Sequence, residues 1–470
     1  MQRKIDDFMK SEKIAKVEGD TMTEVNEIDR KREQMLSEPV EKLICKMAIP
    51  ATISMLVTAL YNLADTFFVG QIGSNTATGA VGIVFSYMTV IQAVGYFFGH
   101  GSGNYISREI GKKNYKNASE MAATGFFMAL FLGVGFMLCG LVFRTELAYL
   151  LGSTNSMIQD TVSYLTYILL GTPYMMAAFV LNNQLRLQGN SLFGMIGLTS
   201  GAVLNIILDP LLIFSCKMGI AGAALATIIS QFVSFIALLV GCQKSSNVTI
   251  KWKDFKPSKN NFKEIVFGGF PSLGRQGLAS ISMLLLNRLA GSYGDAVIAS
   301  FAVVTKIINI SSAAILGFGH GFQPVCGYNY GAEKYDRVKK GFWFSVKIAT
   351  ISLIVIGILL YLNASNLVRT FRDDPEVIEI GVQTLRYQLI AVPFLGWVIV
   401  VNMFLQNIRK VVPASIVAMA RQGIVFIPLL LVLYHFFGLT GLELTQPISD
   451  IITFAISVPF GVGALRNLRK

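Results

Sequence analysis

The run GMIGLTSGAVLNIILDPLLIF, from Gly194 to Phe214, is apolar along most of its length but carries Asn205, Asp209 and Pro210 in its interior. A charged side chain inside a membrane helix costs roughly 2.5–3.5 kcal/mol on insertion scales, so it normally faces a cavity or a partner. Asn205 precedes Asp209 by four residues, which places both side chains on one face of a helix. Pro210 cannot donate a backbone hydrogen bond and frees a carbonyl one turn earlier. The run therefore predicts a polar, bent site inside a membrane, with Asp209 as a functional residue.

The composition places the rest of the chain in the membrane as well. Of the 470 residues, 53% are hydrophobic and only 14% are charged, and the mean hydropathy is +0.56. The apolar runs are too long and too numerous for a soluble core. The net charge of +12 does not indicate binding to nucleic acid, because the basic residues collect in short loops between apolar runs. The five cysteines show no metal-ligand spacing, so we expect free thiols.

Twelve apolar runs follow a polar amino-terminal extension. The extension, residues 1–42, lacks the apolar core of a signal peptide and is expected in the cytoplasm. Residues 43–242 form an amino-terminal six-helix bundle, residues 243–262 a cytoplasmic linker and residues 263–470 a carboxy-terminal six-helix bundle. The predicted spans are 46–69, 78–104, 119–143, 161–185, 193–215, 219–242, 263–290, 295–323, 341–362, 378–407, 412–436 and 441–464. The expected fold class is all-α integral membrane with twelve transmembrane helices.

The charge of the loops predicts the orientation of the chain. The even-numbered connections and the carboxyl terminus carry twenty Lys or Arg residues, whereas the odd-numbered connections carry five. Positively charged loops stay in the cytoplasm, so both termini are expected there. An even number of spans agrees with this orientation.

The two halves of the chain repeat one another. The tetrapeptide FGHG at residues 98–101 recurs at residues 318–321, an offset of 220, and Pro50 matches Pro271 at an offset of 221. Six crossings are an even number, so the two bundles have the same orientation and should be related by a pseudo-twofold axis along the membrane normal. A central cavity between two such bundles is typical of a transporter.

Three stretches of sequence carry a resemblance to one family. They are IPATISMLVTALYNLADTFFVGQIG in the first run, NIILDPLLIF in the fifth, and the tripeptide RQG, which begins at both Arg275 and Arg421. Together they resemble the multidrug and toxic compound extrusion (MATE) family, in its DinF-like bacterial branch, from about Leu43 to the carboxyl terminus. The resemblance implies two six-helix bundles around a cleft in the bacterial cytoplasmic (inner) membrane. It further implies a monomer, without a cofactor, that exports small organic cations or drugs and is driven by protons or sodium.

The resemblance also assigns an ion-coupling site in the first half. Asp65 matches the family's first-helix carboxylate, Asn205 and Asp209 its fifth-helix pair, and Thr227 its sixth-helix hydroxyl. Asp65 and Asp209 are expected at similar depth, so a proton could neutralise them, and their oxygen ligands suit sodium held at Asp65 and Asp209 equally well. The choice between the two ions stays open. The other reading of the two acids is hydrogen bonding to neighbouring helices.

Three more residues resemble parts of the family's substrate site or its network. Pro50 matches the proline that bends the first helix, and Tyr164 and Asn182 fall where the fourth helix supplies a phenol and an amide. In the cycle that this implies, an ion from outside neutralises the site, the first helix bends near Pro50, and a bound cationic drug leaves.

The second half lacks these acids and carries a different set of charges. Leu286 and Ile427 stand where the repeat would place the two carboxylates, and no acid occupies the positions that some relatives use for sodium. The second-bundle charge network is expected to comprise Arg275, Gln276, Lys306, Arg421 and Asp450. We expect Asp450 to pair with Arg421 or with Arg275. The cations either lock the bundle in this way or serve gating or the binding of anionic substrates.

Other classes of protein fit the sequence less well. A pump driven by ATP would need the motif GxxxxGK[ST], which is missing from the sequence, and so are an HExxH motif and a catalytic Ser/His/Asp set. We therefore expect a transporter embedded in the lipid bilayer, and neither an enzyme nor a nucleic-acid binder. The alternative function is a lipid-linked or polysaccharide flippase of the same superfamily. A cleft rich in cations would favour the flippase, and an acidic, aromatic cleft would favour drugs.

Overall fold

The computed structural model describes residues 28–244 and 248–469, and these are almost entirely helical, with no strand among them. Ten of the long helices have well-separated bounds. They are α1 Val40–Gly70, α2 Asn75–Gly111, α3 Tyr115–Val142, α4 Ile158–Leu187, α5 Ser191–Pro210, α6 Gly219–Lys244, α7 Lys259–Ala290, α8 Asp295–Gly331, α9 Tyr335–Leu362 and α10 Pro375–Asn407. Two short helices, Arg144–Leu150 and Ala364–Phe371, follow α3 and α9.

The last two helices are joined at a sharp backbone kink. α11 begins as Val411–Met419, passes through a π-helical turn at Ala420–Ile424 and continues into the helical stretch Phe426–Arg466. Gly438 interrupts that stretch with φ of 57° and ψ of −127°, a conformation open to glycine because it has no Cβ. The residues before Gly438 complete α11, and those after it form α12.

These helices span the membrane in two bundles, α1–α6 and α7–α12. Ten helical segments of the described chain are long and apolar enough to cross a bilayer, and the segment Val411–Arg466 has 56 residues, enough to cross twice. α7 is not among the ten, although it has 32 residues. Its charged residues, including Arg275, lower its hydropathy, and it packs against α2 and α11. The chain is therefore a multi-pass membrane protein with twelve transmembrane helices.

Several helix ends differ from the predicted boundaries. α1 begins at Val40, inside the predicted extension 1–42, and α7 begins at Lys259, inside the predicted linker 243–262. Residues 1–27 of the extension lie outside the described residues. Helices of this fold run past their apolar spans because polar turns at their ends also form intrahelical hydrogen bonds.

The pseudo-twofold relation shows in equivalent hydrogen bonds. The Asn182 amide in α4 donates to the carbonyl oxygen of Gly194 in α5 at 3.1 Å. At an offset of 220, the Asn402 amide in α10 donates to the carbonyl oxygen of Ala414 in α11 at 2.8 Å. α4 and α10 lie at the centres of their bundles, so the same contact fixes the fifth helix of each bundle to its core.

The two bundles meet closely at one end of the molecule, the end where α1 begins and α12 ends, which we term the closed end. α1 packs against α8, and α2 packs against α7 and α8. A Cβ on Gly101 would lie 2.3 Å from the Ile265 carbonyl oxygen, and a Cβ on Gly331 would lie 2.1 Å from the Arg108 carbonyl oxygen. Only glycine permits this approach of the backbones. Gly101 ends the first FGHG, and a Cβ on Gly321, which ends the second, would lie 2.5 Å from the Ala48 backbone nitrogen, so the FGHG repeat marks an interface between the bundles.

A buried polar cluster also joins the bundles near this interface. Arg186 of α4 donates through Nη1 to Gln323 Oε1 of α8 at 2.5 Å, and its Nη2 lies 3.2 Å from His100 Nε2 of α2. Because a guanidinium can only donate, His100 accepts at Nε2 and donates from Nδ1 to Ser272 Oγ of α7 at 2.8 Å. Four helices from both bundles are thus linked through one arginine.

Part of the amino-terminal extension bridges the closed end from outside. Residues 28–37 are helical, and we term residues 28–39 the strap. Arg32 donates twice to the carbonyl oxygen of Gly111 at the end of α2, at 3.0 and 2.8 Å. Arg337 of α9 donates to the carbonyl oxygen of Glu38 at 2.5 Å, and two more strap carbonyls accept from α8 and the loop after it. The strap therefore binds both bundles.

Removing the strap's arginine contacts should loosen the closed end. We expect the double variant Arg32→Ala/Arg337→Ala, made in a chain whose only cysteine is Cys326, to react with maleimide on the order of tenfold faster. Each lost charge-assisted hydrogen bond is worth roughly 1.5–3 kcal/mol, and Cys326 is only 1% exposed. The labelling rate in membranes is the measurement. Arg144→Ala, an exposed arginine at the opposite end, is the control, and an unchanged rate in the double variant would contradict the bridging role.

Candidate ion-coupling site and substrate cavities

Two carboxylates come together in the first bundle. Asp209 of α5 is fully buried, and its Oδ1 accepts a hydrogen bond from the Asn205 amide at 3.3 Å. Asp209 Oδ2 and the buried Oδ1 of Asp65 in α1 have no hydrogen-bond partner within the described residues. The two carboxylates lie close enough to interact electrostatically. Two unsatisfied acid oxygens in a buried setting are costly unless a proton or cation joins them.

Hydroxyl groups complete the surroundings of these acids. Thr227 of α6 is buried, and the phenol of Tyr164 in α4 lies beside its hydroxyl. Tyr164 and Tyr61 both interact electrostatically with Asp65 and with Asp209. The structure thus gathers the predicted set and adds Tyr61, which was not among the predicted site residues. Its position one helical turn before Asp65 is the signal that would have found it.

The donor atoms are of one chemical kind. Carboxylate, amide and hydroxyl oxygens are hard ligands that suit a proton or an alkali cation. Among the residues described, no group of three or more His, Cys, Asp or Glu side chains is arranged to hold a metal ion. The residues that could hold a coupling cation are therefore Asp65, Asp209, Asn205 and Thr227.

A cavity of about 130 Å³, the first cavity, lies in the same bundle. Its lining includes Tyr61, Asn182 and Asn205, whereas neither Asp65 nor Asp209 contributes to it. Asn205 belongs to the lining and also holds Asp209, so the carboxylates stand behind the cavity wall. Asn205 and Tyr61 therefore connect the carboxylates to the cavity, because both residues line it and both interact with Asp209.

Pro50 lies where α1 changes its neighbours. Thr52, two residues later, donates to the carbonyl oxygen of Ala314 in α8 at 3.4 Å. From Met55 onwards α1 instead lines the cavities. α1 remains a single helix through Pro50, and the Ser54 hydroxyl donates to the Pro50 carbonyl oxygen at 2.9 Å. Pro50 thus lies within the part of α1 that is anchored on α8, and the part that faces the cavities begins about one helical turn later, at Met55.

The charges of the second bundle surround a larger cavity. This second cavity, of about 380 Å³, is lined by Arg275, Gln276 and Arg421 and shares Met55 with the first. Of the two pairings expected for Asp450, the structure shows the one with Arg421, with Nε 2.8 Å from Oδ1.

Two members of the expected charge network, Lys306 and Gln276, do not take part in the Arg421–Asp450 pair. Lys306 is exposed and does not line the second cavity. The prediction that Lys306 belongs to the network was wrong. Thr305 and Asn309 of α8 line the second cavity, and Lys306 lies on a different face of the same helix. Gln276 lines the cavity but donates to Gln92 of α2 at 3.0 Å, which links the bundles.

The comparison with family models decides the family. The MatE model matches residues 50–211 and residues 271–432, one segment in each bundle. This chain belongs to the MatE family. The two matches begin 221 residues apart, the interval at which Pro50 and Pro271 repeat.

Relatives and solved structures of the MATE family agree. The chain is 28% identical over 431 residues to the multidrug export protein MepA of Staphylococcus haemolyticus, covering 91% of this chain and 94% of the relative. It superposes with a TM-score of 0.87 on an outward-facing multidrug resistance MATE transporter, at 25% identity over 93% of this chain and 98% of the other. The same values hold for a MOP superfamily transporter from Pyrococcus furiosus, for which reversed polarity of the binding pocket has suggested a different function. The chain is a transporter and not an enzyme.

Breaking the buried pair in the second bundle should destabilise the fold. We expect Asp450→Asn to cost roughly 3 kcal/mol of unfolding free energy, because it leaves Arg421 without its counter-charge. The double variant Arg421→Gln/Asp450→Asn should recover most of that loss. Thermal unfolding in detergent measures both.

The exposed pair Arg369–Asp373 provides a matched control. Its side chains are 67% and 72% exposed, so Asp373→Asn should cost under about 1 kcal/mol. Equal losses at the two sites would contradict a buried, structural pair.

Proposed function

We propose that this transporter works as a monomer that exports small organic cations by alternating access, in exchange for protons or sodium ions. The observation that carries the proposal is the buried Asp209 carboxylate, with one oxygen unpartnered and Asp65 nearby. Such a pair changes its charge state when an ion binds, and the fold changes its preferred conformation in response. The names of the relatives, multidrug export proteins, support the same substrate class.

The proposed orientation places the closed end in the cytoplasm. In the sequence, the even-numbered connections and the carboxyl terminus carry twenty Lys or Arg residues and the odd-numbered connections carry five, and positively charged loops stay in the cytoplasm. In this orientation both termini are cytoplasmic, and the first and second cavities lie on the outer side of the closed interface. The conformation described is then one that is sealed towards the cytoplasm by the strap, the glycine contacts and the Arg186 cluster.

In the proposed cycle, binding of the ion changes the conformation of α1, and this change displaces the drug. A proton or sodium ion that enters from outside lowers the negative charge of the Asp65–Asp209 pair by one. This changes the electrostatic potential at Tyr61 and Asn205, which line the first cavity. The part of α1 from Met55 onwards lines the cavities, and α1 can bend because Pro50 lacks the backbone N–H of an intrahelical hydrogen bond. The change in cavity shape expels the drug, and release of the ion to the cytoplasm resets the site.

The lining of the first cavity suits a cationic aromatic drug. Aromatic rings and methionines form part of it, namely Tyr61, Phe85, Tyr96, Phe179, Met55, Met88 and Met175. Aromatic faces attract cations, and methionine side chains adapt to ligands of different shape. Neutral amides such as Asn62 and Gln231 add hydrogen-bonding groups without fixing one substrate.

The second candidate function is a flippase for lipid-linked or polysaccharide substrates. The observation that favours it is the pair of arginines in the second cavity, since such substrates carry phosphate groups that guanidinium binds well. The flippase function requires the same alternating access, but the transported substrate is a lipid-linked or polysaccharide compound instead of a drug.

Ethidium efflux from inverted membrane vesicles tests the proposal. We expect the unmodified chain to move ethidium under either a pH gradient alone or a sodium gradient alone, and the gradient that works identifies the ion. Asp65→Asn and Asp209→Asn should each reduce efflux to the level of vesicles without the transporter, because the ion can no longer change the charge. Glu146→Gln, an exposed acid outside the site, should leave efflux unchanged.

Two outcomes would count against the proposal. If no cationic dye moves under either gradient, cation export fails and the flippase becomes the leading function. If ethidium moves but both asparagine variants are fully active, the carboxylates do not couple the cycle.

A further inference from the structure

The second cavity presents one positive charge in excess. Asp450 neutralises Arg421 through the contact of 2.8 Å. Arg275 interacts electrostatically with Arg421, which repels it, with the phenol of Tyr96 and with the imidazoles of His100 and His320, and none of these four groups is a carboxylate. Among the residues that line the cavity there is no Asp or Glu in the described chain. The second cavity therefore has two guanidinium groups and only one neighbouring carboxylate, which pairs with Arg421, at a depth where unpaired charge is costly.

The other buried acid of α12 does not relieve this charge. Glu443 is 3% exposed and accepts a hydrogen bond from the Thr384 hydroxyl of α10 at 3.1 Å. It is not part of the cavity lining. Because Glu443 pairs with a neutral hydroxyl and lies outside the cavity lining, it does not compensate the charge of Arg275.

The backbone around Arg421 is held in an unusual and fixed form. Arg421 lies in the π-helical turn Ala420–Ile424, a type of local widening that occurs often at functional sites. The Ser449 hydroxyl donates to the Arg421 carbonyl oxygen at 3.0 Å, and the Ser282 hydroxyl donates to the Gln422 carbonyl oxygen at 2.5 Å. The salt bridge employs Nε, which leaves the two terminal nitrogens of Arg421 for another acceptor.

The remaining wall of the cavity suits an amphiphile. Four glutamine side chains offer amide hydrogen bonds: Gln276, Gln388, Gln422 and Gln446. Apolar side chains cover other parts of the lining, including Met283, Leu286, Phe301 and Phe426. The volume of about 380 Å³ falls in the usual range of roughly 300–1,000 Å³ for small-molecule sites.

We propose that the second cavity binds an amphiphilic organic oxyanion. A carboxylate, sulfonate or phosphate head would lie between Arg275 and Arg421, whose planar guanidinium groups match such heads with paired hydrogen bonds. A hydrocarbon body would lie against the apolar wall. The head belongs either to a free compound or to an anionic lipid. This inference goes beyond the export of cations proposed above, and its test uses equilibrium binding without a gradient, so either one can fail without the other.

The first test measures binding of radiolabelled decanesulfonate to the purified protein in phosphatidylcholine nanodiscs. We expect saturable binding of one molecule per protein above that of empty nanodiscs. Decanoate should compete, whereas decanol and decyltrimethylammonium should not. Arg275→Gln should weaken binding on the order of tenfold or more, the effect of losing one charge-assisted hydrogen bond. Arg386→Gln removes an exposed arginine that stacks on Tyr361 outside the cavity and should bind normally.

Thermal unfolding without ligand separates this role from a structural one. Arg275→Gln should unfold at a higher temperature than the unmodified protein, because it removes an uncompensated charge. Arg275→Lys keeps the charge but loses the fork of donors, so it should bind with intermediate affinity. A lower unfolding temperature for Arg275→Gln with unchanged decanesulfonate binding would overturn the proposal.

The second arm replaces phosphatidylcholine with phosphatidylglycerol. If decanesulfonate does not bind but phosphatidylglycerol raises the unfolding temperature, and Arg275→Gln abolishes that rise, the occupant is a lipid headgroup and the oxyanion site stands. If neither arm shows an effect that depends on Arg275, the proposal is wrong.

Discussion

The cost of an unpaired charge or polar group inside a bilayer governs most of this structure. Asp450 and Arg421 meet at 2.8 Å because neither could remain alone at that depth. Asp209 accepts a hydrogen bond from Asn205 at one carboxylate oxygen, and its other oxygen has no hydrogen-bond partner within the described residues. The places where this rule is not satisfied, Asp65 with Asp209 in one bundle and Arg275 in the other, are the places where a mobile ion or ligand is expected to act.

The duplicated fold separates architecture from chemistry. Asn182 and Asn402 make the same hydrogen bond between the fourth and fifth helices of their bundles, so each asparagine maintains packing that both halves need. The acids of the first half have apolar counterparts, Leu286 and Ile427, in the second. A single scaffold therefore carries a cavity lined by uncharged residues in the first bundle and a cavity lined by two arginines in the second, and Met55 lines both.

The closed end shows how the bundles are held together without becoming one rigid body. Glycine permits close contact at Gly101 and Gly331, but such contacts are van der Waals in nature and separate without breaking bonds. Hydrogen bonds also cross the interface, from Arg186 and Arg108 inside the molecule and through Arg32 and Arg337 in the strap region. Close glycine contacts joined by individual polar contacts suit a transporter that must open and reseal this end.

The sequence by itself determined the helix count, the duplication and the family, and its resemblance to that family predicted the residues of the first-bundle site. These follow from hydrophobic length, from local spacing and from motifs, all of which are properties of neighbours along the chain. The tertiary structure decided which partners distant residues take. Only the tertiary structure shows that Asp450 pairs with Arg421 and that Arg275 has no carboxylate partner. It also shows that Lys306 does not line the second cavity and that Asp65 and Asp209 do not line the first. It also placed the strap across both bundles and Arg186 between His100 and Gln323. Such contacts join residues that lie between 29 and 299 positions apart, and no periodicity in the sequence records which helices pack side by side.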